Sequence, residues 1–182
     1  PYDHLVGVGK CIRPMSMGAF PVRFPSEVDS GDTGWHVDAS FAGADPNDFF
    51  AYRINLNSKG RGLLMLFLFS DVSEKDAPTR LLKGSHQDVA RILNQQGEEG
   101  LSFMEMANRL TELPKRGEAL AIGMAGTVYL CHPFLVHAAQ RHLGLVPKFM
   151  AQPPLLIRTE FDISGAKPCS PVEEAIRIAI GS

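Results

Sequence analysis

The stretch Gly34-Trp35-His36-Val37-Asp38-Ala39-Ser40-Phe41 decides how the rest of the chain is read. As a strand over Trp35–Phe41 it places His36 and Asp38 on one face, about 7 Å apart along the chain. An imidazole and a carboxylate so placed can grip one metal ion. A third ligand from another strand would complete one face of an octahedron and leave three positions open. Alone, His-x-Asp arises often by chance, and the plain alternative is an edge-strand histidine hydrogen-bonded to a nearby aspartate.

The third ligand has to come from far along the chain. The segment from Thr127 to Ala139 offers His132 and His137. Pro133 biases His132 toward an extended or turn conformation. Strict alternation places the two imidazoles on opposite faces, so one of them reaches the ion, and spacing leaves the choice open. Lys148 stands ahead of the apolar Phe149-Met150-Ala151. A lysine entering a core strand needs a partner. The carboxylate of an acidic co-substrate would be one, through a charge-assisted hydrogen bond. The alternative is a strand-end lysine that snorkels to water.

The flanking sequence suits a β-rich globule. The chain has 182 residues, 45% hydrophobic and 21% charged, enough for one domain with a buried core and incompatible with a purely disordered chain. A net charge of −2 offers no electrostatic case for nucleic acid or an anionic membrane as partner. The longest apolar run, Leu63 to Phe69, is far shorter than the roughly 20 residues of a membrane-spanning helix. If it is a strand, its lack of alternation means that both faces are covered. Cys11, Cys131 and Cys169 are too few and too scattered for a disulfide framework or a CxxC metal site, which favours reduced thiols and a cytoplasmic location. Pro1 to Lys10 has no signal-peptide character, and the missing initiator Met points to a processed or trimmed chain.

Turn chemistry at 30–34, 57–60, 76–78 and 153–154 separates predicted strands over Val6–Ile12, Trp35–Phe41, Phe49–Leu56, Leu63–Asp71, Thr79–Leu82, Thr127–Cys131 and Phe149–Thr159. Helices are expected after Ser85 as cap, after the Ser102/Glu105 capping box, and after Ser170 with Pro171 as first residue and Glu173 returning. Strands dominate without regular helix alternation. This disfavours a doubly wound parallel sheet and favours an antiparallel sandwich or barrel with helices outside.

Four landmarks occur together: Gly34-Trp35-His36-Val37-Asp38, Leu66 to Val72, Ala77-Pro78-Thr79-Arg80 leading to Gly84-Ser85-His86, and His132-Pro133 to His137-Ala138-Ala139. In this combination the chain resembles the phytanoyl-CoA dioxygenase (PhyH-like) family of Fe(II)- and 2-oxoglutarate-dependent oxygenases, from about Val22 to Ile157. The resemblance implies a mainly β fold: a double-stranded β-helix, a jelly-roll or cupin-like barrel, forming a single domain over residues 1–182. A two-helix insertion and a C-terminal helix would pack outside it. It implies His36, Asp38 and His137 as Fe(II) ligands, since the family's distal histidine is followed by small residues. His132 becomes a neighbour of the site and His86 a helix-start residue. Lys148 stands about where the family usually has arginine; it keeps the charge for the distal carboxylate of 2-oxoglutarate and loses the bidentate fork. Family members commonly carry a longer helical region ahead of the His-x-Asp motif, which leaves two readings: a more open pocket, or residues upstream of Pro1. Related halogenases carry a small residue at the position of Asp38, so its carboxylate argues for hydroxylation.

Among the remaining candidates, Thr79 and Arg80 lie on an inward-facing predicted strand and would touch co-substrate or substrate, a structural salt bridge being the alternative. Asn55 is a candidate donor to the iron-proximal carboxylate of 2-oxoglutarate. Phe67, Phe69 and Phe149 would line the pocket for a small apolar substrate. Trp35 belongs to the pocket wall or the core, and Met104 and Met106 to packing. His4 and His142 have no assigned role. The expected activity uses Fe(II), 2-oxoglutarate and O2 to hydroxylate a small molecule, releasing succinate and CO2. Two alternatives stand beside it: a cupin-like isomerase or lyase that uses the same ligands without 2-oxoglutarate, and a non-catalytic binding module.

Overall fold

The computed structural model describes residues 1–165 and 169–181. Its central element is strand β3 (Arg61–Leu68), in which Leu63 to Leu66 are each at most 2% exposed, as the unbroken apolar run required. Alternation sorts the run onto two faces. Leu64, Leu66 and Leu68 join Leu81 and Met150 in one cluster. Leu63 and Met65 join Val89, Leu93 and Ile176, the buried faces of helices, in another. Each such side chain contributes about 1.5–3 kcal/mol of burial.

Around β3 the pairing is antiparallel throughout. It pairs with β7 (Val128–Cys131), β9 (Lys148–Ala151) and β10 (Leu155–Leu156), while β1 (Val22–Arg23) extends the sheet beyond β9. A second sheet has β4 (Arg80–Leu82) between β6 (Glu118–Leu120) and β8 (His137–Ala138). A small pair joins β2 (Arg53–Ile54) to β5 (Leu101–Ser102). Single bridges such as His36↔His137 tie further segments to these sheets. The architecture is mainly β and antiparallel, as expected. Among the described residues the ladders form these separate sheets, not one continuous closed barrel.

Among the described residues four α-helices flank the strands: α1 (Tyr2–Val6), α2 (Ser85–Leu93), α3 (Phe103–Leu110) and α4 (Pro171–Ile180). Both expected capping boxes form, Ser102 with Glu105 and Ser170 with Glu173, with Pro171 opening α4. At α2 the cap differs from expectation. Gly84, left-handed at φ 78°, is the N-cap, and Ser85 is the first helical residue. Its Oγ accepts the Val136 N–H at 2.9 Å, tying α2 to the residue just before β8. Met106 is buried as expected, whereas Met104 is half exposed.

Several predicted strands are corrected. Val6–Ile12 is the end of α1 followed by a turn in which Gly7 and Gly9 take positive φ, leaving Cys11 one bridge to Ile157. Trp35–Phe41 is extended but holds only the bridges at His36 and Phe41. Phe49–Leu56 begins as a 3-10 turn, Phe49–Ala51, because the Asp48 side chain caps the Phe50 N–H. Pro153-Pro154 divides Phe149–Thr159 into β9 and β10, since proline cannot donate to the ladder. No described helix is long and apolar enough to cross a membrane.

Candidate metal centre

His36 and His137, a hundred residues apart, form one antiparallel bridge: each backbone N–H donates to the other's carbonyl at 2.9 Å. Opposed residues in such a pair point to the same face, and the two rings stand 4.3 Å apart between centroids. Alternation sends Val37 and Ala39 into the core and leaves His36 and Asp38 on the side of His137. The imidazoles are oriented identically. Nδ1 of His36 donates to the Gly34 carbonyl and Nδ1 of His137 to the Leu135 carbonyl, both at 3.0 Å. A carbonyl can only accept, so in the neutral ring each Nε2 carries the lone pair. Burial, opposed by Asp38, holds the His137 pKa below its ordinary value and keeps that lone pair free.

Both Nε2 atoms face Asp38. Its Oδ1 lies 3.9 Å from His36 Nε2 and 3.6 Å from His137 Nε2. The three donor atoms fall within 4.8 Å of one another. His137 Nε2 is buried with no hydrogen-bond partner. An orphaned buried lone pair is costly, and a cation between the three atoms would satisfy it. Two imidazole nitrogens and a carboxylate oxygen are the donor set of a non-haem iron site, and their second nitrogens already carry the backbone hydrogen bonds that such ligands use for orientation. The carboxylate itself is ionised. Burial works to raise its pKa, but the Arg61 guanidinium beside it, first among the opposing influences, holds it below the usual range. Arg61 also hydrogen-bonds Asp38 Oδ2 directly.

The triad opens into a cavity of about 500 Å³. Lys148, the first residue of β9 and 4% exposed, also lines it, with Nζ donating to the Ala77 carbonyl. Burial, with repulsion from its cross-strand neighbour Arg23, pushes the Lys148 pKa down to about 8, Asp32 acting the other way. Thr79, buried with Oγ1 3.7 Å from Met150 Sδ, lines the same cavity. Phe49, Phe50 and Phe103 form an aromatic wall, Phe103 standing 5.9 Å from the His36 ring.

The sequence signature of the family described as Phytanoyl-CoA dioxygenase (PhyH) matches residues 14–149, which contain all three donor residues. The chain belongs to the PhyH family. Comparison with curated protein sequences found no match. Among solved structures, the PhyH chain is similar to the non-heme alpha ketoglutarate dependent carbocyclase SnoK from nogalamycin biosynthesis. The TM-score is 0.52 at 15% identity, over 78% of this chain and 49% of that one. It is also similar to HygX from Streptomyces hygroscopicus, solved with iron bound, at a TM-score of 0.49 and 17% identity over 89% of this chain and 65% of that one. The chain thus spans about half the length of SnoK and somewhat under two thirds of HygX.

Other expected site residues lie elsewhere in this PhyH chain. Asn55 does not line the cavity. Its Nδ2 donates to the Glu98 carbonyl and its Oδ1 accepts the Lys59 N–H, so both ends of the amide serve loop structure. Phe69 and Phe149 are half exposed on the outside, and Phe67 packs against the helix-side cluster. Strand parity is the reason: Lys148 and Met150 take the inward positions, so Phe149 points out. Arg80 makes neither a cavity contact nor a salt bridge among the described residues; it donates to the Thr33 carbonyl and lies 4.4 Å over the Trp35 ring, bracing that cavity wall. His132 does not line the cavity either. It lies 4.9 Å from the His86 ring, its Nδ1 accepts the Phe134 N–H, and its Nε2 faces the Val172 carbonyl at 3.4 Å, the tautomer opposite to that of the triad histidines. Sequence reasoning missed Arg61, which no local motif marks, and the aromatic wall, which the expected strand over Phe49–Leu56 concealed.

Proposed function

We propose that this chain is the core of an Fe(II)- and 2-oxoglutarate-dependent dioxygenase that hydroxylates a small, largely apolar organic molecule. The observation that carries it is the convergence of His36 Nε2, His137 Nε2 and Asp38 Oδ1 on a cavity that the buried Lys148 also lines. His36, His137 and Asp38 would hold the ion, which supplies oxygen activation coupled to conversion of 2-oxoglutarate into succinate and CO2. Lys148 binds the distal carboxylate of the co-substrate by a charge-assisted hydrogen bond, exchanging its Ala77 carbonyl for an anion. Thr79, beside Met150 on the same wall, offers a hydroxyl to that end. Phe103, with the partly exposed Phe49 and Phe50, offers an apolar wall that would seat an apolar group near His36. Asp38 occupies the position that a halide would need, which supports hydroxylation over halogenation.

Anaerobic loading with Fe(II), followed by 2-oxoglutarate and air, tests the proposal. Succinate should appear in wild type and not in His36→Ala. Equal succinate in both ends it. The fold neighbour SnoK is described as a carbocyclase, so product analysis should score ring closure alongside hydroxyl insertion.

A further inference from the structure

We propose that Arg61 is a positioning residue for the metal-binding carboxylate, holding Asp38 so that one oxygen alone faces the ion. This rests on the metal-centre reading above. The two oxygens of Asp38 have different neighbours: Oδ2 accepts from Arg61 Nη1, whereas Oδ1 faces both imidazole Nε2 atoms. The side chains are largely enclosed, Arg61 at 18% and Asp38 at 26% exposed, so water competes weakly for the pair. A carboxylate whose second oxygen is held by a guanidinium ligates through one oxygen. An ion held there by three protein atoms would keep its remaining positions for a chelating keto acid and oxygen. With Oδ2 free, the carboxylate could rotate and chelate, closing one of them.

The fold delivers Arg61 to this place by a specific route. The turn before β3 is closed by the Arg61 N–H donating to the Ser58 carbonyl at 3.2 Å, while Ser58 Oγ donates back to the Arg61 carbonyl at 2.7 Å. Gly60, at φ +86°, lies so close to the Asp38 segment that a Cβ there would sit 2.9 Å from the Ser40 carbonyl oxygen. That approach sets the Arg61 backbone beside residues 38–40.

The test compares wild type, Arg61→Lys, Arg61→Met and Arg61→Ala by anaerobic titration with Mn(II), then by titration of the Mn(II)-loaded proteins with 2-oxoglutarate. Circular dichroism checks the fold. Arg61→Met should lose about ten- to hundred-fold in Mn(II) affinity, and its loaded form should bind 2-oxoglutarate more weakly than wild type. Arg61→Lys should recover part of both losses, because it restores a donor to Oδ2; a residue that only fills space would be replaced as well by methionine. Arg61→Ala, which likewise has no donor, serves the same comparison if Arg61→Met fails to fold. Wild-type affinities in the methionine or alanine variant, or a lysine variant no better than the donor-free one, would overturn the role of Arg61 alone. A wild type that binds no Mn(II) removes the metal-centre reading and this inference together.

Discussion

His36 and His137 share a reciprocal pair of backbone hydrogen bonds, both 2.9 Å, and so hold their imidazoles 4.3 Å apart on one face. The backbone, not the side chains, places the two rings; each ring is then turned by its own Nδ1–H bond to a carbonyl two residues earlier. A site built this way is preorganised before any ion arrives, because the ladder would have to break for the donors to separate.

That arrangement predicts which histidine matters for metal. His137→Ala should cut Mn(II) affinity by more than the roughly hundred-fold expected for loss of a supporting residue, while His132→Ala leaves it within a few-fold of wild type. Calorimetric titration decides; equal losses from the two variants would refute the assignment.

Lys148 should set co-substrate affinity in a pH-dependent way. With its pKa near 8, it is cationic below that pH and neutral above. The KM for 2-oxoglutarate should therefore rise as pH passes upward through 8. At pH 7, Lys148→Met should raise KM about ten- to hundred-fold, the equivalent of a charged hydrogen bond of about 1.5–3 kcal/mol, and Lys148→Arg should restore most of it. A KM that is flat with pH and indifferent to the methionine would count against the proposal.

His132 predicts an acid-labile fold. Burial and its neighbour His86 push its pKa from 6.5 down to about 3. Between those values the unfolded chain binds a proton that the folded chain refuses, so stability is fully present above pH 6.5 and drains away as pH falls toward 3. Melting temperature measured from pH 7 to pH 4 should fall less steeply in His132→Asn, whose amide oxygen can still accept from the Phe134 N–H. Parallel curves for the two proteins would contradict this.

Gly60 links stability to the metal centre. Gly60→Ala faces both a left-handed φ of +86° and the Ser40 carbonyl, so it should destabilise by about 1 kcal/mol or more in urea unfolding. It should also weaken Mn(II) binding by displacing Arg61. An alanine variant as stable as wild type would show that the turn relaxes freely.

What the sequence alone determined was local in origin. The apolar run of β3, the capping boxes of α3 and α4 and the shared face of His36 and Asp38 follow from periodicities of two and 3.6 residues and from short-range hydrogen bonding. Family resemblance selected His137 over His132, a choice that spacing left open. Only the tertiary structure showed why the two differ: their ring nitrogens meet opposite partners, a carbonyl at Nδ1 of His137 and an amide N–H at Nδ1 of His132. It likewise brought Arg61 to Asp38, moved Asn55 into a loop, and replaced the expected phenylalanine lining by Phe49, Phe50 and Phe103. Each of these depends on which distant strand or turn lies beside another. Periodicity says which way a side chain points from its own strand, and long-range packing supplies what it finds there.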